Sequence, residues 1–180
     1  DSGIIKGEIE FKDVVYVYDG DTCKRPSNVL SCGGVTLTVR GGSSVCLIGD
    51  SGSGKTTLMK LLVRLFSPKS GSIYIDGRDI QEYDIEYLRE SVNYMTQRSN
   101  LFDLSVMDNI RYGNDVSDDI IVEILTAYDL LDIFTELDGG IDGMCGVNGS
   151  NLSGGMQKIV LLLRTILKDG VIKILDEPLA

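Results

Sequence analysis

The sequence predicts an α/β fold: a core with an N-terminal antiparallel β subdomain and an inserted helical subdomain. Three observations predict it. Short alternating apolar runs occupy the stretch before residue 40. Val45-Cys46-Leu47-Ile48, a glycine-rich loop and the apolar run 57–66 then follow as strand, loop and helix. Last, a mostly helical stretch lies between two further apolar strands, one ending near Gln97 and one ending at Asp176-Glu177.

Taken in order, Glu8 to Phe11 and Val14 to Tyr18 predict two short strands or one bent one. Asp19-Gly20-Asp21 and Arg25-Pro26-Ser27-Asn28 carry turn chemistry. Val35 to Val39 alternates as a strand, and Arg40 to Ser43 turns the chain into the apolar run at 45–48. Beyond the helix over 57–66, Ser67 to Gly71 is a break. Ser72 to Gly77 is a strand ending in a D-G turn. Ile85 to Ser91 reads as a short helix and Val92 to Thr96 as a strand. Ser105 caps a helix to Tyr112, and Ser117 caps a stronger one over 120–128 with acidic residues in its first turn. A further helix over 129–137 is compatible with the pattern, and 139–143 is a loop. Leu152 to Gly155 opens a long helix to Leu167, and Val171 to Leu175 is the last strand. The expected division is 1–97 for the β subdomain and core, 98–158 for the helical subdomain, and 159–180 for the long helix and last strand.

Gly49-Asp50-Ser51-Gly52-Ser53-Gly54-Lys55-Thr56 is G-x-x-x-x-G-K-[ST], the phosphate-binding loop of P-loop NTPases. Its flanks are the strand and helix that such a loop needs, which makes the core a P-loop NTPase core. Glycines let backbone N–H groups converge on one anionic ligand, and the helix N-terminus adds partial positive charge. Lys55 is placed to reach the β- and γ-phosphates, and the Thr56 hydroxyl to ligate Mg²⁺. Gly49, Ser51, Gly52, Ser53, Gly54, Lys55, Thr56 and Thr57 are the candidate nucleotide-binding residues, and the expected ligand is a nucleotide's phosphates with Mg²⁺; the resemblance described below implies that the nucleotide is ATP.

Composition narrows the function classes. The 180-residue chain is long enough for one domain with a subdomain, and its hydrophobic (43%) and charged (24%) contents are those of a globular protein. A net charge of −10 argues against a nucleic-acid-binding surface. No apolar run approaches the roughly 18 residues of a membrane span, and Asp1-Ser2-Gly3 does not open a leader peptide. Cys23, Cys32, Cys46 and Cys145 lack metal-binding spacing and read as reduced thiols of a cytosolic compartment. The chain has no histidine, which excludes histidine-based catalysis within it.

Leu152-Ser153-Gly154-Gly155 downstream of the phosphate loop, followed by an apolar strand ending in Asp-Glu, resembles the nucleotide-binding domain of ATP-binding cassette (ABC) transporters. Gly7 to Phe11, Val14 to Tyr18 and Leu101 to Gly113 resemble the exporter type. The resemblance implies a role for each matched position. Tyr18 would stack on adenine, against the alternative of a strand tyrosine packed in the core, with Tyr16 the better core candidate. Gln97 matches the Q-loop glutamine, which binds Mg²⁺ or the attacking water. Asp176 matches the Walker B aspartate that holds Mg²⁺ through its water shell. Glu177 matches the general base, so the implied catalytic set is Glu177, Gln97 and Lys55, and the implied metal set Thr56, Gln97 and Asp176. Ser153, Gly154 and Gly155 match the signature motif, which in the family faces the γ-phosphate bound by a partner domain. The implied partners are therefore a second nucleotide-binding domain, head to tail, and a transmembrane domain. The implied location is the ATP-containing, cytoplasmic side of a membrane.

The chain departs from the family pattern at several positions. Met156 stands where glutamine is usual, Ile159 lies in a region usually basic, Val147 replaces an exporter glutamate, and Asp50 replaces a common proline. Lys173 interrupts a strand expected to be buried on both faces, so it must snorkel or find a partner. The chain stops at Ala180 where the family's D-loop begins, and is expected to be a C-terminally truncated cassette. Two other readings stay open: a non-catalytic regulatory half of an asymmetric pair, and a soluble ABC ATPase without a transport role.

Overall fold

The computed structural model describes residues 6–18, 30 and 33–178. They fall into two compact units, the first ending at Val92 and the second beginning at Asn93.

The first unit is built on a four-stranded sheet of order β2-β1-β3-β4. Its strands are β1 (Ile9–Val15), β2 (Val35–Val39), β3 (Ser70–Ile75) and β4 (Arg78–Asp79). β1 pairs antiparallel on both sides: Phe11 faces Leu37 of β2 and Ile73 of β3. Of the two expectations for residues 8–18, one bent strand is correct. The register slips after Phe11 on one side and after Lys12 on the other, and Asp13 at the bend is left-handed (φ 50). Gly71 lies against that bend; a Cβ there would come within 2.3 Å of the Asp13 carbonyl oxygen and 2.4 Å of that of Lys12. β3 returns to β4 through Asp76 and Gly77, both left-handed (φ 51 and 77), the geometry that a two-residue hairpin loop demands. The alternation Ile9, Phe11, Val14 and Ile73, Ile75 buries one face of the sheet.

Helix α1 (Lys55–Leu62) buries Leu58, Leu61 and Leu62, and α2 (Ile85–Ser91), capped by the Asp84 carboxylate, buries Leu88. The expected helix to Phe66 ends four residues early. Arg64 is left-handed (φ 53), and the N–H of Leu65 bonds back to the Lys60 carbonyl (2.9 Å), which closes the helix end. The expected strand Val45–Ile48 does not form. These residues belong to neither sheet, and Ile48 is 92% exposed. A strand needs a neighbour for its N–H and C=O groups, and among the described residues none pairs with this run. The turns expected at 19–21 and 25–28 lie outside the described residues.

The second unit pairs β5 (Val92–Met95) with β6 (Ile172–Leu175). The two run parallel. Asn93 near the start of β5 donates through Nδ2 to the carbonyls of Lys168 and Asp169 just ahead of β6, and the Asp176 N–H after β6 donates to the Met95 carbonyl (3.0 Å). Helices α3 (Val106–Arg111), α4 (Asp118–Ala127) and α5 (Gly154–Leu167) pack around one core that includes Val106, Ile110, Ile121, Leu125, Phe134 and Val160. Ser105 caps α3 by accepting from the Asp108 N–H, as expected; Ser117 precedes α4 without a side-chain cap bond. The helix considered over 129–137 is only a 3-10 turn, Leu131–Phe134, whose Phe134 is fully buried. Lys173 lies on an exposed face of β6, so the strand is not buried on both sides. Its ammonium donates to the Lys168 carbonyl, and partial burial pushes its pKa down. No helix of the described residues is long and apolar enough to cross a membrane.

The bend makes a specific demand on Gly71. Gly71→Ala meets both a left-handed backbone and two carbonyls, whereas Gly42→Ala meets only the backbone (φ 74, nothing within 4 Å of its Cβ). Urea unfolding should show a loss of about 1 kcal/mol for Gly42→Ala and about 3 kcal/mol for Gly71→Ala. Equal losses would mean that the β1 bend does not constrain β3.

Candidate functional site

In the first unit the expected phosphate loop is an exposed turn leading into α1. The Ser53 N–H donates to the Asp50 carbonyl (3.2 Å), and Gly52 and Gly54 are left-handed (φ 82 and 103). Gly49 lies 3.0 Å, measured from a built Cβ, from the Ser53 hydroxyl, so a larger residue there would crowd the loop. Ser51 is exposed, as is Asp50. Lys55 folds back over the loop that precedes it: Nζ donates to the carbonyls of Gly49 (2.7 Å) and Asp50 (3.0 Å), two of the three bonds an ammonium can donate.

The start of α1 is unusual. Its N-cap is Gly54, which has no side chain to cap it, and no acidic residue lies in its first turn. Among the helices described, each of the other four has a side-chain cap, an acidic first turn, or both. The α1 end therefore offers backbone N–H groups and partial positive charge with no internal anion to answer them. Thr56 in that first turn is half-buried, and Thr57 is buried with its hydroxyl 2.8 Å from the Tyr18 hydroxyl. Tyr18 is 42% exposed, with its ring edge-on to Tyr16 (5.0 Å) and Phe66 (5.9 Å). Tyr16 stacks on Phe66 (5.1 Å) and is the more enclosed of the two tyrosines. The unit thus brings Tyr18, Thr57 and the phosphate loop together.

In the second unit the ends of β5 and β6 gather the other predicted residues. Asp176 is buried (4% exposed) and its carboxylate accepts from the Tyr94 hydroxyl at 3.1 Å. Glu177 is exposed, and its carboxylate accepts from Gln97 Nε2 at 2.5 Å. Glu177 is also left-handed (φ 51), a conformation that costs a non-glycine residue about 1–2 kcal/mol. Oxygen donors of this kind, an aspartate carboxylate and a glutamine amide, suit a hard cation such as Mg²⁺. Among the described residues no group of three or more His, Cys, Asp or Glu is placed to hold a metal by itself.

Ser153 caps α5, accepting from the Met156 N–H at 3.3 Å. Gly154 and Gly155 follow as the first two residues of the helix. Neither has a positive φ, and a Cβ at Gly154 would meet nothing within 4 Å. Met156 and Ile159, the departures on this helix, pack against the apolar core. Val147 stands exposed on the loop before it.

Sequence reasoning missed a polar hub beneath these elements. Buried Asn109 donates through Nδ2 to the carbonyls of Phe102, Leu104 and Ser105 and to the Cys145 thiol. Arg164 of α5 donates to the Asn109 carbonyl (2.7 Å), to its Oδ1 (2.5 Å) and to the Asn100 carbonyl (3.2 Å), with its guanidinium over the rings of Phe102 and Tyr112. Burial lowers the Arg164 pKa and raises that of Cys145. No sequence spacing announces such a pair; only the long-range packing does. Tyr94 was missed for the same reason.

Asn109→Ala removes Oδ1, which is one of three acceptors of the half-buried Arg164 guanidinium and the acceptor of the Phe102 N–H, and it takes a second donor from three carbonyls. A loss of about 3 kcal/mol is expected in denaturant unfolding, while Asp118→Ala, in an exposed ion pair with Arg111, should cost under about 1 kcal/mol. Comparable losses would show that the hub is not what orders the segment 100–105.

Comparison with known proteins places these features in a lineage. A family model described as ABC transporter matches residues 32–180. The chain is 38% identical over 171 residues to an ATP-dependent lipid A-core flippase of Paraburkholderia xenovorans, covering 95% of this chain and 28% of the flippase. It is 34% identical over 174 residues to ABC transporter B family member 2 of Dictyostelium discoideum, covering 96% of this chain and 12% of that protein. Among solved structures, a bacterial Atm1-family ABC exporter with ATP bound superposes with a TM-score of 0.83 at 33% identity, over 96% of this chain and 29% of the exporter. The chain therefore spans under a third of the length of these relatives.

Proposed function

The chain belongs to the ABC transporter family, and we propose that it is the ATP-binding and ATP-hydrolysing motor domain of an exporter. The observation that carries this reading is the start of α1. A helix end with no cap and no acid of its own opens from a glycine loop over which Lys55 is folded. Such an end is completed by an anion, and a nucleotide triphosphate supplies one that Lys55 can follow. Tyr18, beside Thr57, presents an exposed ring to the base. Thr56, Gln97 and Asp176 would hold Mg²⁺, which neutralises charge developing on the transferred phosphoryl group.

Glu177 is the proposed base. Its carboxylate would orient a water for in-line attack and take its proton, with Gln97 bonded to that carboxylate. Ser153, Gly154 and Gly155 would face the nucleotide of a second cassette, in a head-to-tail dimer closed by MgATP. Closure would drive a transmembrane domain, which puts the motor on the cytoplasmic side of its membrane. The flippases that resemble the chain are ATP-dependent, which supports hydrolysis as the energy source. The net charge of −10 leaves nucleic acid an unfavoured partner.

The test is MgATP turnover by the full-length protein. Glu177→Gln should bind ATP and lose turnover by roughly a hundred- to ten-thousand-fold, the contribution of general-base catalysis. Lys55→Ala should lose ATP binding itself. Wild-type protein that binds MgATP without turning it over would replace the motor reading with a regulatory half. Unchanged ATP binding in Lys55→Ala would remove the nucleotide site from this loop.

A further inference from the structure

We infer that Tyr94 is a positioning residue for Asp176, setting the orientation in which that carboxylate meets Mg²⁺. The inference rests on the reading that Asp176 helps to hold the metal. Tyr94 and Asp176 are 82 residues apart in the chain, and the hydroxyl of the first donates to Oδ2 of the second at 3.1 Å. The contact is not incidental to a loose loop. Tyr94 lies within β5, and the next residue along, Met95, accepts from the Asp176 N–H at 3.0 Å. Backbone and side chain of Asp176 are thus tied to two successive residues of the neighbouring strand.

The chemistry explains why a phenol suits this place. Asp176 is buried, and a polar group withdrawn from water needs hydrogen-bond partners. A lysine or arginine would meet that need but would also spend the negative charge that attracts a divalent cation. A phenol O–H donates one bond and carries no charge. It restrains rotation of the carboxylate about its Cβ–Cγ bond and adds no charge of its own. Donors of this outer kind typically change metal affinity by 10- to 100-fold. Gln97 treats Glu177 in the same way one residue further on, so the end of β5 orients both acids at the end of β6.

The experiment uses the full-length protein and a non-hydrolysable ATP analogue, with binding followed as a function of free Mg²⁺ and again in EDTA. For Tyr94→Phe, the free Mg²⁺ giving half-maximal binding should rise about 10-fold, with binding in EDTA unchanged. Mn²⁺ bound in place of Mg²⁺ should show an altered electron paramagnetic resonance spectrum in the same variant. Tyr94→Leu should match Tyr94→Phe. If Phe behaves as wild type and only Leu is impaired, the ring merely packs and the inference is overturned. Asp176→Asn is run beside them: a shift in Asp176→Asn with none in Tyr94→Phe sinks the role of Tyr94 alone. No shift in Asp176→Asn sinks the metal reading beneath it.

Discussion

The start of α1 imposes the constraint around which the first unit is arranged. Helix N-termini expose N–H groups that must be satisfied, and most of the described helices answer with their own side chains: Asp84, Ser105 and Ser153 do so directly. α1 does not. Gly54 stands at its cap in a left-handed conformation that a side chain would disfavour, so the end cannot easily be capped from within. The chain accepts a poorer helix there, eight residues long and starting without a capping bond, and relies on Leu58, Leu61 and Leu62 to hold it through burial. The polar contacts nearby stay one layer back. The Thr57 hydroxyl is engaged with Tyr18, and Lys55 takes backbone carbonyls that exert only a dipole's pull.

The second unit solves a different problem, how to hold an irregular segment still. Between Gln97 and α3 the chain makes no regular structure, and side chains add to the few backbone bonds its carbonyls accept. Asn109 supplies three of those side-chain bonds from inside α3, and Arg164 supplies another from α5. A half-buried guanidinium is a risky device, because desolvation opposes its charge. Here it is offset by several acceptors and two ring faces. The result ties the segment following Gln97 to the helix that begins with Ser153-Gly154-Gly155.

Much of this was legible in the sequence, and the reason differs from feature to feature. The loop 49–56, the Asp76-Gly77 hairpin and the Ser105 cap are local; each depends on residues within a few positions, and spacing reveals them. The failures are those that depend on neighbours. Val45 to Ile48 has the composition of a strand, but pairing decides the matter, and no described strand pairs with it. Phe66 continues the apolar run of α1, yet a left-handed Arg64 ends the helix and sends Phe66 to stack on Tyr16. Lys173 looked like a charge in a buried strand; β6 buries only the face carrying Ile172 and Ile174. Asn109, Arg164 and Tyr94 act through contacts 36 to 82 residues away, which no periodicity encodes.

Gly154 and Gly155 carry the argument beyond the chain. Each has a lower helical propensity than alanine, and the two stand in the first turn of α5. Elsewhere in the protein the glycines have local work: Gly71 makes room for carbonyls and Gly77 supplies a left-handed turn. At 154 the backbone is ordinary and the space beside it is empty. The helix behind them is not weak, since Met156 and Ile159 have turned from polar positions of the family pattern into core contacts. In the proposed head-to-tail dimer this exposed helix tip would be approached from outside the chain, where two glycines leave its backbone open. The phosphates of a nucleotide held by a second cassette have the charge and the size for that approach.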